Sequence, residues 1–159
     1  MTTLVNTLEQ LGFSLPSYQP LPGHLPIVSY VRTGSTIHVS GQIPDVVGQE
    51  PLRGRLGAGL CVDNGREAAR RAILNVLAVL DHAAGGLANV RRIIKVVGFV
   101  NSTPDFTDQP AVINAASELL VAIWGADNGK HARSAIGVAA LPFDVPVEIE
   151  LIAELEDRS

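Results

Sequence analysis

Apolar residues recur at helical spacing in two long segments of the chain. The first segment begins near Asp63 and Asn64, either of which could cap a helix with Glu67 as a capping-box partner, and it stops at Gly85-Gly86. Its apolar stripe consists of Ala69, Ala72, Ile73, Val76, Leu77 and Leu80. The second segment begins at Asp108. Its stripe consists of Val112, Ala116, Leu119, Leu120 and Ile123. We therefore predict two long amphipathic helices, each with one face for the core.

Strands are predicted where apolar and polar residues alternate. Residues 27–32 and 36–42 alternate on either side of a short Gly-containing turn, which is a hairpin signal. Residues 92–101 are rich in β-branched side chains. Residues 132–140 and 146–154 alternate around a Pro-containing turn, and we expect them to form a second hairpin. The order of elements predicts an α+β fold in which the two helices cover one face of a mixed sheet.

The remaining segments suggest the domain organisation. Residues 2–12 have the apolar spacing of a short helix, and a Pro-rich connector follows them. Residues 43–60 are rich in Gly and Pro and predict a long surface loop. We therefore expect residues 1–26 to form an N-terminal helix and connector, and residues 27–159 to form a single domain.

Composition and charge narrow the classes of function. The chain has 159 residues, a net charge of −4 and 4% aromatic residues, so it lacks the basic surface and stacking platforms of a nucleic-acid-binding protein. It has no apolar run long enough to span a membrane, and its N-terminus lacks the features of a secretory signal. Its lone cysteine, Cys61, excludes an internal disulfide, and the four histidines are scattered, so we expect no metal site. A cytoplasmic protein is the expectation.

Charged side chains occur in both of the last two predicted strands. Side chains alternate across a strand, so Arg133 shares a face with Ala135 and Gly137. In the final strand, Glu148 lies on the face opposite to an entirely apolar one. We expect Arg133 and Glu148 to lie together on the sheet face that the helices leave uncovered, where the small neighbours of Arg133 leave room for a pocket.

The pattern leaves two interpretations of these charges open. A guanidinium can bind the carboxylate of a ligand through two parallel hydrogen bonds. Alternatively, Arg133 and Glu148 form a salt bridge with each other, worth about 0–1 kcal/mol if exposed. Asn114 lies opposite the apolar stripe of the second helix, so it either contacts solvent or faces a partner subunit.

Three motifs, taken in their order and spacing, resemble the Rid family of YjgF-type enamine/imine deaminases, also known as endoribonuclease L-PSP. They are Ser40-Gly41-Gln42-Ile43-Pro44, Val112-Ile113-Asn114-Ala115-Ala116, and Ala132-Arg133-Ser134 leading to Val147-Glu148-Ile149-Glu150. The resemblance covers roughly residues 27–155. It implies a chorismate-mutase-like fold and a homotrimer in which the uncovered sheet faces pack around a central barrel. It also implies active sites in clefts between subunits, with no metal or organic cofactor.

The resemblance implies hydrolysis of small enamines or imines, formed from serine or threonine by pyridoxal-phosphate dehydratases, to 2-oxo acids and ammonia. By position, Arg133 matches the arginine that clamps the substrate carboxylate, and Glu148 matches the glutamate that positions or activates the attacking water. Asn114 matches an asparagine at the cleft, while Ser40 and Gly41 match the turn that lines it.

Two positions depart from the family pattern. Ala135 stands where many members have cysteine, although its backbone could still contact the ligand. Ile27 stands near the place of a tyrosine in those members. An alternative function is therefore a trimeric protein that binds small carboxylates such as 2-oxo acids without turnover. Ribonuclease activity, which the older family name suggests, is disfavoured by the acidic charge and the few aromatic residues.

Overall fold

The computed structural model of the protein describes residues 4–156 and contains ten regular elements. They are α1 (Leu4–Gln10), β1 (Tyr30–Thr33), β2 (Thr36–Gln42), β3 (Arg55–Leu56), β4 (Gly59–Leu60), α2 (Val62–Ala84), β5 (Val90–Asn101), α3 (Gln109–Gly129), β6 (Ala132–Val138) and β7 (Val147–Leu155). Single 3₁₀ turns cover Leu87–Asn89 and Pro142–Asp144.

Five of the strands form one mixed sheet in the order β1-β2-β7-β5-β6. The β5–β6 pair is parallel and the other pairs are antiparallel. The predicted hairpin between the last two strands is wrong, because β5 lies between β6 and β7. The physical reason is the crossover: α3 carries the chain back so that β6 runs beside β5 in the same direction, and β7 then enters between β2 and β5.

Helices α2 and α3 pack against each other and against the sheet, as their apolar stripes predict. The apolar face of β7 is fully covered, since Val147, Ile149, Leu151 and Ala153 are at most 1% exposed. Gly98 of β5 lets α3 approach closely, because a Cβ there would lie 2.5 Å from the Ile113 side chain. Two helices and one face of the sheet therefore enclose a single core.

Several element boundaries differ from those predicted. Helix α2 begins two residues early, with Cys61 as its N-cap, and the Asn64 side chain accepts a hydrogen bond from the Cys61 amide. Strand β1 starts at Tyr30 and not at Ile27, whose side chain is 59% exposed. The start of the predicted helix over residues 2–12 lies outside the described residues, but Leu8 of α1 is fully buried in the core.

The 43–60 segment is attached more firmly than a surface loop. Asn75 of α2 donates hydrogen bonds to the carbonyls of Ile43 and Asp45, at 2.8 and 2.9 Å. Arg53 makes a two-pronged ion pair with Asp45, 2.7 Å at each contact. The segment also contains the short parallel pair β3–β4, and Leu56 within it is fully buried. These contacts hold the segment against α2.

Candidate active site

Arg133 lies on β6, the edge strand, and faces the helices. It pairs in register with Val96 of β5, which in turn pairs with Leu151 of β7, and both of these side chains are buried under the helices. Paired residues project to the same face of a sheet. The prediction that Arg133 lies on the uncovered face is therefore wrong. The side chains of β6 that share a face with the apolar side chains of β7 are determined by the pairing of β6 with β5. The sequence pattern of β6 does not specify this pairing.

Neutral side chains of α3 hold the Arg133 guanidinium. Arg133 Nη1 donates to Asn114 Oδ1 at 2.8 Å and to Ser117 Oγ at 3.2 Å. Asn114 and Ser117 are three residues apart, so they lie on the same side of the helix. Asn114 is half-buried, and its contact with Arg133 was not among the predicted alternatives. Within residues 4–156, no carboxylate forms an ion pair with Arg133. Its charge is therefore available to a ligand.

His131 extends this cluster. Its Nε2 atom lies 3.0 Å from Ser117 Oγ, and its Nδ1 atom lies 2.7 Å from the Gly129 carbonyl. Burial lowers the pKa of His131, and the positive charge of Arg133 acts in the same direction, against the hydrogen bond to Gly129. Sequence reasoning missed both Ser117 and His131. The spacing of Ser117 from Asn114 could have identified Ser117, but no sequence pattern indicated that His131 would meet it.

A second group of predicted site residues surrounds Glu148. The β2 strand is irregular between Val39 and Gln42, where Ser40 and Gly41 turn away from regular pairing with β7. Ser40 Oγ donates to the Val28 carbonyl at 2.7 Å, which fixes the turn. Gly41 packs so closely on Glu148 that a Cβ at this position would overlap Glu148 Oε1. The structure therefore brings Ser40, Gly41 and Glu148 together.

The Glu148 carboxyl is half-buried. Burial raises its pKa, and the negative charge of Glu150 raises it further. In the described part of the chain, no hydrogen bond or ion pair satisfies this carboxyl. A carboxylate with a raised pKa and a free oxygen is suited to accept a proton from water.

The two groups lie on opposite faces of the sheet within one chain. Glu148 pairs with Phe99 and Arg133 pairs with Val96, so their side chains project in opposite directions. Their Cα atoms are separated by about 10 Å along the strands and about 10 Å across them. A salt bridge between Arg133 and Glu148 of the same chain is therefore excluded. Ala135 shares the face of Arg133 and is half-buried against the core.

Over residues 4–156, no group of three or more His, Cys, Asp or Glu side chains is placed to hold a metal ion. Of the helices described here, none combines the length and apolar character needed to cross a bilayer. The residues for the predicted chemistry form two half-sites, one around Arg133 and one around Glu148.

The chain matches known proteins over most of its length. A family model described as Endoribonuclease L-PSP matches residues 22–155. Protein TCP17 of Trypanosoma cruzi is 44% identical over 153 residues, which cover 94% of this chain and 92% of that protein. The 2-iminobutanoate/2-iminopropanoate deaminase of Escherichia coli K12 is 37% identical over 129 residues, which cover 80% of this chain and 86% of that protein.

Solved structures share the same architecture. A putative endoribonuclease from Shewanella oneidensis superposes with a TM-score of 0.88 at 31% identity, covering 96% of this chain and 99% of that chain. The YjgF gene product of E. coli superposes with a TM-score of 0.60 at 30% identity, covering 88% of this chain and 96% of that chain. These likenesses confirm the predicted α+β fold class.

Proposed function

Because the chain belongs to the endoribonuclease L-PSP family, which includes the Rid (YjgF-type) proteins, we propose that it hydrolyses small carboxylate-bearing enamines or imines to 2-oxo acids and ammonia. The observation that carries this proposal is the Arg133 guanidinium, which two neutral side chains of α3 hold in place and which no acidic residue in the described chain neutralises. Such a group is ready to bind the carboxylate of a substrate in a bidentate manner. The name of the E. coli relative, a 2-iminobutanoate/2-iminopropanoate deaminase, supports the substrate class.

The complete site requires a second copy of the chain. One chain places the carboxylate-binding group, Arg133 with Asn114, on the helix side of the edge strand β6. It places Glu148, with Ser40 and Gly41, on the opposite face. We therefore assign each active site to a cleft of a homotrimer, where Arg133 of one copy meets Glu148 of the next. The partly exposed face opposite the helices, which includes Ile136 at 46% exposure, is the surface for this assembly.

An iminium carbon is already electrophilic, so the reaction depends more on orienting the substrate and holding one water molecule than on activating the carbon. An enamine first gains a proton on carbon to become the iminium. With the substrate carboxylate on Arg133, Glu148 takes a proton from water as the oxygen bonds to the iminium carbon. The resulting carbinolamine receives that proton on nitrogen. The carbon–nitrogen bond then breaks and ammonia leaves, while Glu148, which is again unprotonated, takes the proton of the hydroxyl group so that the carbonyl of the 2-oxo acid forms. The raised pKa of Glu148 suits this exchange of a proton.

The proposal is tested with imines made in place by a pyridoxal-phosphate threonine dehydratase. Wild-type protein is expected to accelerate the release of 2-oxobutyrate and ammonia above the rate in buffer. Arg133→Ala is expected to lower this acceleration by about a hundredfold or more, because the substrate carboxylate loses two charge-assisted hydrogen bonds of about 1.5–3 kcal/mol each. Arg92→Ala, which removes an exposed guanidinium from β5, is the matched control and should act as wild type. Equal rates for wild type, Arg133→Ala and buffer would refute the hydrolase.

One observation favours a second candidate, a protein that binds small carboxylates without turnover. The binding group around Arg133 is complete within one chain, whereas the group that would handle water is not beside it. Titration with 2-oxobutyrate separates the two functions. Binding that depends on Arg133, together with no hydrolysis of any imine tested, would favour the binding protein.

A further inference from the structure

The side chains behind Arg133 form a continuous hydrogen-bonded chain. It runs from the Gly129 carbonyl through His131 and Ser117 to the guanidinium, with contacts of 2.7, 3.0 and 3.2 Å. Asn114 adds a 2.8 Å contact to the same nitrogen, Nη1. The chain joins the end of α3 to the edge strand β6.

The chemistry of the groups fixes the direction of the bonds made by the Gly129 carbonyl and by Arg133, and the protonation of the His131 ring sets the direction of its bond with Ser117. A carbonyl oxygen only accepts, so His131 Nδ1 carries a hydrogen and donates it to Gly129. In the neutral ring Nε2 then accepts, and the Ser117 hydroxyl donates to it. The Ser117 oxygen keeps a lone pair for Arg133 Nη1. A protonated ring would donate from both nitrogens, and Ser117 would then face two donors. The two lone pairs of Ser117 could accept both hydrogens, but burial lowers the pKa of His131 and so favours the neutral, Nδ1-protonated ring.

We propose that Ser117 and His131 are positioning residues, which orient the Arg133 guanidinium so that its Nε and Nη2 atoms face the substrate carboxylate. This inference rests on the proposed role of Arg133. The two acceptors, Asn114 and Ser117, occupy the donors of Nη1 and leave the opposite edge of the fork available for two parallel hydrogen bonds. An arginine side chain otherwise samples many rotamers, and fixing it before binding lowers the entropy that the ligand must offset.

Calorimetric titration of the full-length protein with 2-oxobutyrate tests the role of each atom. Ser117→Ala should weaken binding about tenfold, equivalent to about 1.4 kcal/mol. Ser117→Thr keeps the hydroxyl and should retain binding. His131→Gln presents an amide oxygen near the place of Nε2 and should bind better than His131→Asn, whose amide reaches only the place of Nδ1. Melting temperatures measured in parallel distinguish weaker binding from loss of fold.

Two NMR measurements report the orientation of the Arg133 side chain independently of the affinity for 2-oxobutyrate. The ring ¹⁵N shifts of His131 in the wild type should show the neutral Nδ1-protonated form at pH 7. The Nη signals of Arg133 should be resolved and slowly exchanging in the wild type, and should merge in Ser117→Ala. An Nε2-protonated His131, or Arg133 signals unchanged by Ser117→Ala, would overturn the inference.

The binding data also separate this inference from the proposed function. If Arg133→Ala loses binding while Ser117→Ala and His131→Asn bind as wild type, Arg133 remains the clamp and the positioning role is refuted. If Arg133→Ala binds 2-oxobutyrate as well as wild type, the proposed function itself fails. Loss of binding in Arg133→Ala and Ser117→Ala, with retention in Ser117→Thr, supports both.

Discussion

A subunit-mixing experiment provides the strongest test of a shared active site. Arg133 and Glu148 project from opposite faces of one sheet, so a single chain cannot direct both at the same small substrate. Arg133→Ala and Glu148→Ala proteins should each be inactive as purified homotrimers. Mixing the two under conditions that allow exchange of subunits should restore activity, since some clefts then receive both native residues.

The expected size of the recovery follows from cyclic symmetry. In the proposed trimer, each cleft of the ring takes Arg133 from one copy and Glu148 from its neighbour. In an equal mixture with random exchange, a given copy carries native Arg133 half of the time, and its neighbour carries native Glu148 half of the time. About a quarter of the clefts are therefore intact, and about a quarter of wild-type activity should return. If both residues acted from the same chain, no mixture would contain an intact site.

The assay measures 2-oxobutyrate release from imine generated in place, before and after exchange. Native mass spectrometry of the mixture verifies that mixed trimers form, which separates failed exchange from failed complementation. A mixture of Arg133→Ala with Arg133→Lys gives the control, because it cannot supply native Arg133 to any cleft. Mixed trimers of Arg133→Ala and Glu148→Ala that stay as inactive as their parents would refute the assignment of the two residues to neighbouring copies.

Three further predictions concern Glu148, His131 and Gly41. The raised pKa of Glu148 means that the folded state holds this proton more tightly than the unfolded state. Its stabilising contribution is therefore present below about pH 4.3 and is lost as pH rises through the folded pKa. Glu148→Gln should raise the melting temperature at pH 7 but not at pH 4, and Glu50→Gln, which changes an exposed glutamate outside this cluster, is the control. The lowered pKa of His131 means that the folded state loses stability as pH falls from about 6.5 through the folded pKa. The free energy of unfolding in urea should therefore fall less between pH 7 and pH 5 in His131→Asn than in wild type. Gly41→Ala should slow hydrolysis and leave 2-oxobutyrate binding intact, because the new Cβ displaces only the flexible end of Glu148. Gly23→Ala is the control, since a Cβ at that position has open space. Weakened binding in Gly41→Ala would contradict the separation of the two half-sites.

The elements of the fold could be predicted from the sequence because each carries a local signal. The apolar stripes of α2 and α3 are buried as their spacing indicates, and Gly85, with φ of 68°, ends α2 in the left-handed conformation that favours glycine. Strand order is a different matter. The insertion of β7 between β2 and β5 depends on pairing between distant segments, and the apparent turn at residues 142–144 resembles a hairpin connection although it crosses β5.

The site shows the same division between local identity and spatial arrangement. The motifs around Ser40, Asn114 and Glu148 identified residues that do form clusters, but the pairs differ from the predicted pair of Arg133 with Glu148, because Gly41 packs on Glu148 and Asn114 contacts Arg133. The face of Arg133 was predicted wrongly, because small neighbours in an edge strand suit either an open pocket or close packing on a helix. Gly137 shows the second case, since a Cβ there would lie 2.7 Å from both Gln109 Nε2 and Ser102 Oγ of the adjoining segment.

Under the proposed function, the groups for carboxylate binding and for hydrolysis are structurally separate within one chain. The support for Arg133 comes from α3 and from His131, and none of these residues contacts the group around Glu148. Ala135, where many family members have cysteine, lies beside Arg133 and packs against the core, so this substitution alters the lining of the cleft without removing a partner of the guanidinium. Ile27 belongs to the exposed segment before β1, on the Ser40 side of the chain. In the proposed site, Ala135 and Ile27 therefore differ from the family pattern without removing any residue that holds Arg133.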